Sequence, residues 1–397
     1  MRSDLRRADE RWEVTRAAAA WLAAGAIDAS AAAVIRERHP DDRRRARPAF
    51  RLLFFLLTLF AGQGIWGFGA LTVGVGFAGD AADGHAVLLW LLAAAAAGAA
   101  RYSIHALRLR GFGVEEGLAA LAIGFEATAL LLSLDQLGLS ERTVAAAIGW
   151  NLALLGLAVA WRWGLPASGA LAAGALFFAL ALTPWARALW LLAALALLPA
   201  ARALGRSGWA APAHRARADE VFAVAAVALY LGAHRADGVA RAFALVADRS
   251  ARGAELTGLP LAGAWLAMVA LPAALIVRGW RRRDRLELAL GALGALATGA
   301  SAVHALALRP AWAVLLGAAT LLGALAFLLR ARFGRSPERV FAGFTDGPLY
   351  EADGRRSWLE IAATLAALSP EARRAEAPRG FEGGGGEFGG GGATSEL

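Results

Sequence analysis

Glu126 is the one carboxylate in the middle of a long apolar run, preceded by Ala122, Ile123, Gly124 and Phe125 and followed by Ala127, Thr128, Ala129 and three leucines. A carboxylate in hydrocarbon costs about 2–3 kcal/mol or more, so it turns toward water or toward a partner inside a helix bundle. Two chemistries follow. It can take up and release a proton in coupled transport, or it can accept a hydrogen bond that ties two helices together, which is the plainer reading. Gln63, Asn151 and His304 lie inside other apolar runs and, with Glu126, make up a candidate intramembrane polar site. His105 and His234 fall near run ends, and the simplest role for His304 is that of a satisfied interfacial histidine. Spacing pairs none of these into a metal site. Cysteine is absent, which removes disulfides, thiolate metal centres, iron–sulfur clusters and thiol nucleophiles. No cofactor is expected and no catalytic residue is assigned.

Three short patterns resemble known motifs. Gly62-Gln63-Gly64-Ile65-Trp66-Gly67 matches GxGxxG, which binds a pyrophosphate where a strand turns into a helix. Here it sits inside an apolar run, and its glycines fit helix packing better. Glu115-Glu116 resembles the start of the EExxxR motif of intramembrane CAAX-type proteases, but the position for arginine holds Ala120. Gly299-Ala300-Ser301-Ala302 resembles the GxSG turn of rhomboid proteases without its last glycine, and His304 is on the same run rather than a neighbouring one. An intramembrane enzyme is therefore the least supported reading.

Positioning these groups falls to ten apolar runs, near residues 52–77, 85–107, 114–134, 144–160, 167–182, 185–203, 221–236, 259–277, 286–308 and 311–329. A bilayer core about 30 Å thick needs roughly 20 apolar helical residues, and a helix satisfies its own backbone there. Hydrophobic residues make up 58% of the 397 positions, well above the about 45–50% of soluble domains. The fold class expected is all-α, a polytopic transmembrane helical bundle of about ten spans with short cytoplasmic N- and C-terminal segments.

The 41 basic residues are all arginine, and their placement fixes sidedness. Clusters lie at Arg43–Arg51, Arg101–Arg110, Arg162, Arg202–Arg217, Arg278–Arg285 and Arg330–Arg335, on alternate connections. By the positive-inside rule these connections and both termini face the cytoplasm. The formal charge of +9 thus flanks helices rather than forming one basic face, and no nucleic-acid partner is expected. Trp161, Trp163, Trp185, Trp209, Trp280 and Trp312 fall at run ends, where the ring suits the interface. The expected location is a bacterial inner membrane, with the lipid bilayer and other membrane or cytoplasmic proteins as partners.

The organisation read from these patterns is a helical hairpin over 1–48, a membrane domain over 49–335, a polar segment over 336–380 and a flexible Gly-rich tail over 381–397. In the hairpin, Gly25 breaks a helix over 9–24, and Asp28 or Ser30 caps a second that runs to about Arg38. A surface-lying amphipathic helix or, equally, a plain solvated loop fits 235–258. Trp21-Leu22-Ala23-Ala24-Gly25-Ala26-Ile27-Asp28, followed by Ala33-Val34-Ile35 and then many spans, resembles a bacterial family of predicted membrane proteins of unknown function with an N-terminal helical hairpin. That resemblance implies a membrane location and carries no activity. The reading is a membrane scaffold or accessory component, with proton-coupled transport through Glu126 as the alternative.

Overall fold

The computed structural model describes residues 3–23, 25–76, 81–183, 186–207, 210–234, 259–282 and 284–305, together with 327, 331, 340–341 and 344–345. The stretches 235–258 and 311–329, the C-terminal segment and the Gly-rich tail lie outside the described residues, apart from those single positions. The chain divides into two compact units, Met1–Ala46 with Phe50–Gly347, and Arg47–Ala49 with Pro348–Leu397. The first unit carries the helical bundle.

The chain opens with α1 (Ser3–Ala23) and α2 (Ala29–Arg38). Gly25 takes φ +69° in the turn, and the Asp28 carboxylate caps α2 by accepting from the Ala31 amide at 2.7 Å. Among the described residues nine more helices follow: α3 (Pro48–Gly76), α4 (Ala81–His105), α5 (Val114–Asp135), α6 (Glu141–Arg162), α7 (Ser168–Ala181), α8 (Ala186–Arg206), α9 (Pro212–Ala233), α10 (Leu259–Arg282) and α11 (Arg285–Ala305). The first nine apolar runs thus each fall on a helix. The only strands among the described residues are the antiparallel pair β1 (Val340–Phe341) and β2 (Phe344–Thr345).

Six of these helices, α3, α4, α5, α6, α8 and α10, are long and apolar enough to cross a membrane. Their burial pattern fits that role. Ala179, Ala194 and Ala225 are wholly buried, whereas Phe60 is 73% and Leu266 71% exposed. Small residues inside and large apolar ones outside is how helices pack when the surroundings are as apolar as leucine; in water the exposed face would be a large apolar patch.

α4–α5, α6–α7, α8–α9 and α10–α11 pack as helical hairpins, with α7 and α9 central. α7 has only 14 residues and touches α6, α8 and α9. The α6–α7 seam is a row of small residues, Gly149, Ala153, Gly156 and Ala160, all buried. A methyl on Gly156 would sit 2.7 Å from the Ala172 amide nitrogen, so the close approach requires glycine. Composition alone makes such spacings common in this chain, but here the row forms a contact. α9 begins well before its apolar stretch at Val221, because Arg215, Arg217, Asp219 and Glu220 all find partners at one end of the bundle.

Candidate functional site

Asn151 on α6 donates from Nδ2 to Glu126 Oε1 on α5 at 3.3 Å. Both residues sit midway along their helices, so equal depth brings them together. Gln63 lies on the exposed side of α3 and is not hydrogen-bonded to Glu126. The side chain of His304 lies outside the described residues. Of the four candidates, then, Glu126 and Asn151 meet. Glu126 also borders a groove of about 340 Å³ between α4, α5 and α6. The groove walls are mostly apolar, with Ala93, Ala97, Ala122 and Leu155 among them, and Arg162 and Trp163 stand at its other end. It suits an apolar guest better than a file of water.

The other patterns resolve into structure. The GxGxxG stretch is helical throughout, and a methyl on Gly62 would collide with the side chain of Leu121 on α5. Glu115 is fully buried, and its Oε1 accepts from the Phe112 amide at 2.9 Å, closing the start of α5. Glu116 takes a two-pronged ion pair from Arg51, with Arg51 Nε at 2.9 Å. The connection before α5 can pass here because Gly113 takes φ +104° with its α-carbon against the Arg51 carbonyl. The two glutamates are thus held by structural partners. Ser301 does meet a histidine from a neighbouring element, since His234, just past the end of α9, has its Nε2 3.0 Å from Ser301 Oγ. Ser301 Oγ also stands 2.9 Å from the Ala297 carbonyl of its own helix, the back-bond common to helical serines.

The densest polar chemistry gathers at one end of the bundle, hereafter the hairpin end. Arg110, in the connection before α5, is buried and grips Asp9 of α1 through Nη2 at 2.6 Å and Nε at 3.1 Å. Its Nη1 donates to the Trp163 carbonyl after α6. Arg43 donates to the Ile104 carbonyl at 2.7 Å and pairs with Asp4. The segment after α2 lies beside the α4–α5 connection through Arg44 N to Arg108 O at 2.9 Å and Arg110 N to Arg44 O at 3.0 Å. Leu5 is buried with Ile104, Ala119 and Leu165. Glu13 pairs with Arg215 of α9 at 3.2 Å. The α1–α2 hairpin is therefore keyed into the connections of α4–α5 and α6–α7 and into the start of α9.

Two further groups complete this end. Glu220 of α9 closes the start of α7, accepting from the amides of Ala167 at 2.9 Å and Gly169 at 3.1 Å, which places a carboxylate at a helix N-terminus. Its neighbour Arg217 pairs with it at 3.0 Å. Burial lowers the Arg217 pKa; Glu220 opposes that, while Arg110 and Arg51 lower it further. Arg202 of α8 reaches Asp219, Asp284 and Glu287 at 2.9–3.1 Å and lies 3.8 Å over the Phe222 ring. Glu287 is wholly buried and also faces Arg278 at 3.2 Å. Arg202 Nη1 donates to Asp219 at 3.0 Å, while Nε and Nη2 approach Glu287 and Asp284 without the alignment of a hydrogen bond, so charge holds those two contacts. Burial raises the Asp219 carboxyl, Arg202 opposes the rise and Asp284 adds to it. Asp219 lies ahead of the apolar part of α9.

Reading the arginines only as markers of sidedness misses these pairings. The signal for them is the repeated co-occurrence of acids with arginines, in the N-terminal hairpin at Asp9 and at run ends at Glu116, Asp219 and Glu287. Among the described residues no group of three or more His, Asp or Glu side chains is arranged to hold a metal ion. No family model, no curated protein and no solved structure matches the chain, so the likeness of residues 21–35 to a family of membrane proteins rests on those residues alone.

Proposed function

We propose that the chain is a ten-span bacterial inner-membrane protein with both termini in the cytoplasm, acting as a non-enzymatic scaffold or accessory component. The observation that carries this reading is the keying of the α1–α2 hairpin into the hairpin end through Asp9 and Arg110. The arginine-rich connections after α4, α6 and α8 meet one another or this hairpin there, in keeping with the charge rule. The result is a rigid polar platform on an apolar bundle, a surface suited to membrane or cytoplasmic protein partners. Reporter fusions test the topology. A reporter after Leu397 that works only in the periplasm would refute it, and one that works only in the cytoplasm is expected.

A second reading, proton-coupled transport, rests on the placement of Glu126 midway along α5 beside the groove between α4, α5 and α6, whose apolar walls count against a water path. A carboxylate that exchanges protons must lie where a path can reach it. Glu126→Gln keeps the hydrogen bond to Asn151 but cannot ionise. Under the scaffold reading this variant accumulates and supports growth like the wild type. Loss of activity at wild-type abundance would select transport.

A further inference from the structure

A cleft of about 230 Å³ opens at the hairpin end between α1 and the starts of α5 and α9. Five arginines line it (Arg16, Arg45, Arg51, Arg110 and Arg217) against three carboxylates, Asp9, Glu13 and Glu116. Those carboxylates are already shared out. Asp9 serves Arg110 and Arg45, Glu116 serves Arg51, and Glu13 reaches Arg215 outside the cleft. Glu220, the partner of Arg217, spends both oxygens on the amides that open α7.

Several guanidinium donors remain uncommitted. Arg217 Nε and Nη1 are buried without a hydrogen-bond partner, whereas Arg45 is held by Asp41 and Asp9. Arg51 commits Nε and Nη2 to Glu116, leaving Nη1. A buried donor without a partner destabilises the fold, and the crowding of Arg110 and Arg51 on Arg217 adds like-charge repulsion. A bound anion would remove both penalties. Donors converging from α3 and α9 suit a tetrahedral, multiply charged group better than a flat carboxylate, and arginine forks match phosphate oxygens.

We propose that this cleft binds a phosphate group, with Arg217 and Arg51 as its donors, Arg45 fixed beside them by Asp41 and Asp9, and Arg110 fixed behind them by Asp9 and the Trp163 carbonyl. The phosphate belongs either to an anionic lipid headgroup, reached where the bundle meets the membrane surface, or to a soluble phosphate ester. Phosphate binding here does not depend on a role for Glu126.

The test uses the full chain purified in a neutral detergent. Thermal unfolding is followed with inorganic phosphate, with glycerol phosphate and with phosphatidylglycerol in mixed micelles, each against chloride or phosphatidylcholine at matched ionic strength. A rise in Tm with at least one phosphate compound is expected. Saturation by glycerol phosphate, with no further rise from phosphatidylglycerol, assigns a soluble ligand; a response to phosphatidylglycerol alone assigns the headgroup. Arg217→Gln should weaken the apparent affinity about tenfold or more. Ala216→Glu, an exposed cleft position on α9, supplies a built-in anion. It should abolish the response while melting no lower than the wild type in chloride, and it decides the matter if Arg217→Gln fails to fold. No phosphate-dependent shift in the wild type, or an undiminished shift in Ala216→Glu, would overturn the proposal.

Discussion

Asp9 and Arg110 stand 101 residues apart in the chain and meet in a buried, two-bonded ion pair. Removing one partner strands the other charge away from water, at a cost of about 3–5 kcal/mol, whereas replacing both with apolar residues of similar size is often neutral. Asp9→Ala should therefore lower Tm strongly, and Asp9→Leu combined with Arg110→Met should recover most of the loss. Additive losses in that double variant would contradict the pairing. Asp219 is the opposite case. Burial raises its pKa, so the native state keeps the proton to a higher pH than the unfolded chain does. Its contribution favours the fold at low pH and is lost as pH rises through the raised native value. Asp219→Asn cannot ionise, so it should gain Tm over the wild type as pH climbs through that window and show no gain below the ordinary carboxylate range. A gain independent of pH would argue against this assignment. Little of this is legible in the sequence. Glu126 and Asn151 can be matched because each sits midway along an apolar run, but the partners of Asp9 or Arg202 depend on which loops converge, and local sequence does not encode that.

The helices themselves are far more legible than their partners. An apolar run declares its own helix, since both length and burial requirement are local properties, and α3 through α11 follow the runs closely. The start of α9 is not legible, because its first turns are charged and count as helix only once Arg215 finds Glu13 and Glu220 finds the amides of α7. Nor is it visible which small residues form seams. In so alanine-rich a chain the pattern recurs everywhere, and only the structure selects Gly149 and Gly156 on α6. Gly156→Ala would push a methyl into the Ala172 backbone. It should cost about 1–3 kcal/mol, as overpacking typically does, read as a drop in Tm in detergent. Gly174, with open space around it, should accept alanine without loss. Equal effects at the two positions would mean that the α6–α7 seam is not tight.

For the whole molecule, the absence of cysteine makes every introduced thiol a solitary reporter. Leu107, in the connection before α5, and Leu137, in the connection after it, are both exposed. Leu107→Cys should react with an impermeant maleimide only after the cytoplasmic face is opened, and Leu137→Cys in intact spheroplasts. Labelling of both from one side would refute a membrane crossing by α5. At the centre of the bundle, the fourteen residues of α7 rise roughly 21 Å, against the about 30 Å of a bilayer core. At its far end Arg142 donates to the Leu182 carbonyl at 2.6 Å, so a charge closes the apolar length there. We propose that, set in an energised membrane, this bundle drops the voltage over a shorter path along α7 than along its longer neighbours. A full elementary charge crossing is worth about 2.3 kcal/mol per 100 mV, and beside α7 that energy is compressed into fewer ångströms. On that proposal the field is steepest beside α7.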